Sequence, residues 1–392
     1  MRTLLLSVLA LFTGAAIATA HDGHEHMHGM NGKAPDAFTA TPAFAPDGTL
    51  WLARGTADRV LVSHSSDLGK TFSTPVSVTP GPVSMDWGPD SRPQILIDRQ
   101  GRLVVTYALF QDEKFNGRVY VTHSDDGGKS FAPSLPITPD ATSQRFQSAA
   151  IDSDGRVFAA WLDKRNRRTV PTASLAYAWS DSSDAPFGAT HIAADNTCEC
   201  CRLGLAFAGP GRPAILFRNV FPGSVRDHAV VTLDNATAPG KLRRVSVDDW
   251  KIEACPHQGP SLAIAADGSY HAAWFTEGSR RQGLFYARAA NGEVAFGEPR
   301  ALSAPDKQPS RPYLLAVGDT IHLVWKEFDG AKSVVRWQMS RDDGRSWTAA
   351  RTVAKTADAS DHPLLVAHGD QAFLSWLTKS EGYRLIALGA ER

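Results

Sequence analysis

Sulfur is concentrated in one part of this 392-residue chain. Its four cysteines are Cys198, Cys200, Cys201 and Cys255; the first three form a Cys-x-Cys-Cys run, and the last opens a Cys-Pro-His triplet that includes His257. Two chemistries suit such a set. Four cysteines in an oxidising compartment ordinarily pair, and a bridge from Cys200 or Cys201 to Cys255 would staple two distant segments. Alternatively, thiolates collect a soft metal, copper(I) or zinc, with His257 as a further ligand. Cys-x-Cys-Cys is not a standard zinc-finger spacing, so spacing alone leaves both readings open.

A second concentration lies near the start. His21, His24, His26 and His28, with Met27 and Met30, place four of thirteen histidines and two of five methionines within ten residues. Imidazoles bind copper(II), zinc or nickel, and thioethers select copper(I). The segment 21–33 has no apolar pattern and is expected to be a disordered tail. A solvated tail with incidental metal affinity is the plainer alternative. Before it, Met1-Arg2, an apolar run from Leu4 to Ala18 and the small-x-small triplet Ala18-Thr19-Ala20 read as a signal peptide over residues 1–20. The expectation is therefore export to the periplasm or beyond. No later stretch approaches the ~20 apolar residues of a membrane span. Lys plus Arg equals Asp plus Glu at 41 each, so no global basic field points to nucleic acid.

Further polar residues sit where loops should meet. Asp86, Trp87 and Arg92 form one group; Arg218, Arg226, Asp227 and Arg311 form another. These suit a small-molecule, glycan or metal ligand held by a monomer, or they simply pin loops to one another. No Gly-x-Ser-x-Gly, phosphate loop or dinucleotide fingerprint occurs.

What must position these residues is a repeated hairpin. A short apolar strand, a turn such as Asp-Gly, and a second apolar strand recur from Pro42, Pro93, Ser148, Leu205, Ser261, Tyr313 and Leu364, at spacings of 51 to 57 residues. Apolar runs flanking a polar turn are a hairpin signal, and a fixed period marks a repeat architecture. Ten Trp and eighteen Phe beside 32 Gly and 24 Pro agree with many short strands and tight turns. Each repeat adds a third strand, such as Val60 to His64 or Val119 to His123, and a fourth. The expected fold is an all-β propeller over residues 34–392, with seven blades favoured and six the count only if one hairpin is an insertion. The last repeat has a third strand, Tyr383 to Leu388, but no fourth; a strand near Ala34 to Thr41 is expected to complete it. In such a ring, the segments leading into the first strands gather at one mouth, which would bring the four cysteines of two neighbouring blades together.

Between the hairpins lies Ser-x-Asp-x-Gly-x-Ser/Thr-aromatic, at Ser65 to Phe72, Ser124 to Phe131 and Ser340 to Trp347, with weaker echoes at Ser180 and Ala289. With this motif the chain resembles the sialidase-like Asp-box propellers. The Cys-x-Cys-Cys and Cys-Pro-His elements resemble an exported subgroup of them, which implies that the cysteines, Arg218 and Arg226 work together. The resemblance to sialidases implies an exo-sialidase or other glycoside hydrolase as an alternative to metal handling. It also implies three arginines gripping a substrate carboxylate, the first from an Arg-Ile-Pro sequence. Aligned on Pro42, that position is Ala40, which lacks the guanidinium fork. A non-catalytic carbohydrate or protein interaction module is the third reading.

Overall fold

The computed structural model describes residues 39–86, 88–234, 237–290 and 295–389. Every hairpin read from the sequence forms the first two strands of its own antiparallel sheet. The sheets are numbered as blades 1 to 7. Their innermost strands are Thr39–Phe44, Gln94–Ile97, Gln144–Ile151, Gly204–Phe207, Ser261–Ile264, Ser310–Val317 and Leu364–His368. Successive innermost strands lie side by side, and that of blade 1 packs against those of blades 2 and 7. The chain is a seven-bladed β-propeller. Among the described residues blades 1 to 6 have four strands and blade 7 has three. No helix among them is long and apolar enough to cross a membrane.

One expectation is corrected. Thr39 to Thr41 do not complete blade 7; they begin the innermost strand of blade 1, where Thr39 pairs with Gly55 and Thr41 with Ala53. The second strand of blade 1, Leu50–Gly55, is long enough to pair this far back, so the first hairpin claims those residues. Residues 34–38 lie outside the described residues, as does the 1–33 segment with its signal peptide and histidine tract.

Both faces of each sheet are buried, which is why the strands read as apolar runs. Among the described residues six apolar clusters each sit between neighbouring blades. Large rings fill the wedges. Trp161, Trp274, Trp325 and Trp376 occupy the second strands of blades 3, 5, 6 and 7 and are at most 1% exposed. A buried indole N–H needs an acceptor. These four donate to Asp163 at 2.8 Å, Asp248 at 2.7 Å, Glu327 at 2.9 Å and the Asp361 carbonyl at 2.9 Å. Three of these bonds thereby fix a carboxylate, those of Asp163, Asp248 and Glu327.

The Ser-x-Asp-x-Gly turns join third to fourth strands, at the end of each blade away from the mouth. In the third of them Asp342 accepts from the Ser346 N–H at 2.8 Å and hydroxyl at 2.6 Å, while the Ser340 hydroxyl receives the Gly344 N–H at 2.8 Å. Asp67 and Asp126 make the same bonds, so all three carboxyls stay well below the usual carboxylate range, held down first by the hydroxyl opposite.

Candidate functional site

The segment leading into blade 4 is tied down before it reaches the mouth. The Cys198 N–H donates to the Arg218 carbonyl at 2.9 Å, and Thr197 bridges Asn219. Glu199 binds Lys164 at 3.0 Å and pairs with Arg167, both from a loop of blade 3. With Glu199 drawn outward, the flanking sulfurs turn into the apolar seam between blades 3 and 4. Cys198 Sγ lies 3.7 Å from Cys200 Sγ and 3.8 Å from Cys201 Sγ. The three sulfurs are all within 4.8 Å of one another, and the residues are buried. Cys255, leading into blade 5, packs against the same cluster and hydrogen-bonds with Cys200, but is only partly buried. All four cysteines are free thiols, so the bridge from Cys200 or Cys201 to Cys255 is not formed. The sulfur separations are nearly twice the ~2.05 Å of a disulfide. They lie close to the ~3.8–4.0 Å that sulfurs each ~2.3 Å from one metal keep in a tetrahedral or trigonal arrangement.

The cluster's electrostatics favour one thiolate. Hydrogen bonds from Cys200 and Cys201 hold the Cys198 thiol well below its usual pKa, helped by Arg218 and Arg226 against the effect of burial. Arg226 Nη1 donates to Cys198 Sγ at 3.4 Å. Burial pushes Cys200 well up, and the Cys198 sulfur, by holding its proton, pushes Cys201 to about 12. Arg218 is spent on backbone: it donates to the carbonyls of Arg226 at 2.9 Å, Gln258 at 2.8 Å and Phe275 at 3.1 Å, and stacks over Trp250. Asp227 is likewise used up. It accepts from the N–H groups of Asp248, Asp249 and Trp250 and pairs with Arg244. Arg218 and Asp227, both expected to hold a ligand, are thus placed among backbone groups of the loops of blades 4 and 5.

His257 is near the centre without joining the sulfur trio. Its ring lies 6.2 Å from that of Phe146, its carbonyl accepts from Arg311, and burial lowers its pKa. Trp87 and the histidines His21, His24, His26 and His28 lie outside the described residues.

A charged hub fills the axis beside this cluster. Arg92 forks onto Asp361 at 2.6 and 2.9 Å, and the same carboxylate receives the Ala40 N–H at 3.0 Å. Asp90 is shared by Arg311 at 3.1 Å and Arg202 at 3.5 Å. Arg202 also donates to the Pro312 carbonyl at 2.7 Å. Asp86 is fully buried beneath a two-bond pairing with Arg145 at 2.6 and 2.8 Å. Sequence reasoning missed Lys326, whose ammonium touches the Ser360 hydroxyl at 2.8 Å and which burial brings down to about 8. It follows the apolar pair Val324-Trp325 within the strand Thr320–Phe328, and a lysine after such a run carries no distinctive signal. Burial, then Arg311, Arg202, Arg92 and Lys326 in turn, hold His362 neutral. Behind the hub an axial cavity of about 410 Å³ is lined by the innermost strands of all seven blades, with Gln94, Gln147, Ser261 and Tyr313 among its polar groups.

These features define a seven-bladed propeller with a thiol cluster and a cationic hub at one mouth. No family model matches the sequence. No curated protein matches it either. Solved structures do. The polysaccharide lyase Uly1 is 9% identical with a TM-score of 0.59, covering 91% of this chain and 90% of its own. An ulvan lyase of polysaccharide lyase family PL25, bound to -[GlcA(1-4)Rha3S]-, is 11% identical with a TM-score of 0.56, covering 91% and 95%. At such identities the likeness is one of fold.

Proposed function

We propose that this chain is an exported binding propeller whose mouth is organised by a soft-metal thiolate centre, for copper or zinc. The observation that carries the reading is the buried trio of Cys198, Cys200 and Cys201, with sulfurs 3.7 and 3.8 Å apart. Three thiols packed in an apolar seam are costly to ionise, and a bound cation offsets that cost. Arg226 and Arg218 supply the outer positive charge that anionic thiolates require. The His/Met tract at residues 21–30 suits a collector for the same ion. Protein prepared reductively and without oxygen should carry close to one copper or zinc ion per chain, and a thiol reagent should find the trio protected until the metal is chelated. Metal-free protein with four freely titrating or fully paired cysteines would remove this reading.

A second reading rests on the hub. Among the described residues Arg92, Arg202, Arg311 and Lys326 gather around two carboxylates, Asp90 and Asp361. Surplus buried positive charge favours an anion, and a guanidinium grips a carboxylate best. A sugar acid is therefore the second ligand to test, and the -[GlcA(1-4)Rha3S]- bound to the ulvan lyase of similar fold makes an acidic glycan the first of these. Ala40 offers no grip, since its N–H is already committed to Asp361 and its carbonyl accepts from Arg92 at 3.4 Å. Under this reading Arg311→Ala abolishes calorimetric binding of N-acetylneuraminate or glucuronate, or release of 4-methylumbelliferone from a sialoside. Absence of binding and turnover in the wild type removes it.

A further inference from the structure

The four sulfurs are not equivalent, and their difference carries an inference that rests on the metal reading above. Cys198, Cys200 and Cys201 are 1%, 4% and 2% exposed, and their sulfurs form a mutually close set. Cys255 stands outside that set, adjoins the same seam, and alone of the four has appreciable solvent access. Zinc asks for four ligands at the corners of a tetrahedron, which would need Cys255 equally near all three partners. Three close thiolates with the fourth set apart suit copper(I), a soft d¹⁰ ion selected by thiolate and satisfied by three sulfurs. Charge agrees. One univalent ion with three thiolates carries two negative charges, and two guanidinium groups stand behind it: Arg226 at 3.4 Å from Cys198 Sγ, and Arg218 bonded to the Arg226 carbonyl.

We propose that Cys198, Cys200 and Cys201 form a three-coordinate copper(I) site and that Cys255 is its exchange ligand. The ion arrives on the partly exposed sulfur, passes inward and leaves by the same route. Passage inward makes bonds to the Cys198, Cys200 and Cys201 sulfurs and breaks the bond to Cys255, whose thiolate then takes up a proton; release reverses these steps. Copper stays univalent throughout, and a thiol that gains the metal loses its proton to water.

The test uses the mature chain, loaded anaerobically with copper(I) supplied as its acetonitrile complex and then challenged with bathocuproine disulfonate. Cys198→Ser and Cys201→Ser should each weaken binding by roughly 100-fold or more, whereas Cys255→Ser should keep the wild-type affinity and release copper roughly tenfold more slowly. Near-UV circular dichroism reports whether the buried variants fold. A companion measurement needs no variant: iodoacetamide on the copper-loaded wild type should alkylate Cys255 and spare the other three, as read by peptide mass spectrometry. Loss of affinity in Cys255→Ser equal to that in Cys198→Ser, or protection of all four thiols, overturns the three-coordinate site while leaving the metal reading standing. Wild-type release kinetics in Cys255→Ser overturn the exchange role. Failure of the wild type to bind copper(I) overturns this proposal, and failure to bind zinc as well would remove the underlying metal reading.

Discussion

Individual side chains in this propeller divide into those committed to backbone and those left free for chemistry, and hydrogen-bond partners draw the line. Arg218 and Asp227 have the residue types of a ligand grip, yet their partners are carbonyls and N–H groups of neighbouring loops. Arg226 differs, since its Nη1 addresses a sulfur. Arg226→Gln should therefore raise the pH at which thiolate absorbance near 240 nm develops, because a charge favouring the Cys198 anion is lost. An unchanged titration would show that the neighbouring thiols alone set it. His322 makes a separate case. Trp337 donates to its Nδ1 at 3.3 Å, and burial depresses its pKa to about 4. A proton excluded in the folded state is taken up on unfolding once the pH drops below about 6.5. The stabilisation is thus complete above about 6.5 and is lost as the pH falls towards 4, by about 3 kcal/mol at most. Urea melts at pH 7.5 and 4.5 should show the loss, and His322→Gln should reduce it.

The strands and turns were the legible level. Apolar runs around Asp-Gly or similar glycine-bearing turns disclosed all seven hairpins, because backbone sterics and a repeating period act over a few residues at a time. The strand from Thr39 was misassigned because a completing outer strand and a longer inner strand share one pattern, and only register decides. The thiol cluster was legible in outline for a similar reason: the propeller's geometry brings neighbouring approaches together. What was not legible is which arginine meets sulfur and which meets carbonyl, since that depends on side-chain paths across three blades. The Ser-x-Asp-x-Gly turns reveal a further element-level role. A Cβ on Gly128 would meet the Trp51 ring of blade 1 at 2.6 Å, one on Gly69 the Tyr383 ring of blade 7 at 3.4 Å, and one on Gly344 the His271 ring of blade 5 at 3.1 Å. Each turn thus seats its glycine on the preceding blade. Gly128, at φ +76°, has both reasons to be glycine, and Gly128→Ala should cost about 1–3 kcal/mol in denaturant midpoint analysis. A neutral result would mean that Trp51 yields freely.

Across the whole ring, the seam between blades 7 and 1 bears the burden of closure, because among the described residues the chain does not continue through it. Phe44 meets His368 and Phe373 there, and Phe72 meets Tyr383. Above these rings the Arg92–Asp361 pair spans from the approach of blade 2 to that of blade 7, with the Ala40 N–H between. Removing one partner strands a buried charge, so Asp361→Asn should destabilise by roughly 3–5 kcal/mol, and Arg92→Met combined with Asp361→Leu should recover part of the loss. Equal destabilisation by single and double variants would place the cost elsewhere. The same closed ring seats the approach of blade 4 against blade 3, which gathers the Cys198, Cys200 and Cys201 sulfurs in that seam, with Cys255 of the blade 5 approach beside them. X-ray absorption at the edge of the metal that accompanies the purified protein tests that gathering most directly. The account predicts a shell of sulfur scatterers at about 2.3 Å, abolished in Cys198→Ser. A shell of nitrogen and oxygen alone, or protein that carries no metal under reducing conditions, would contradict it.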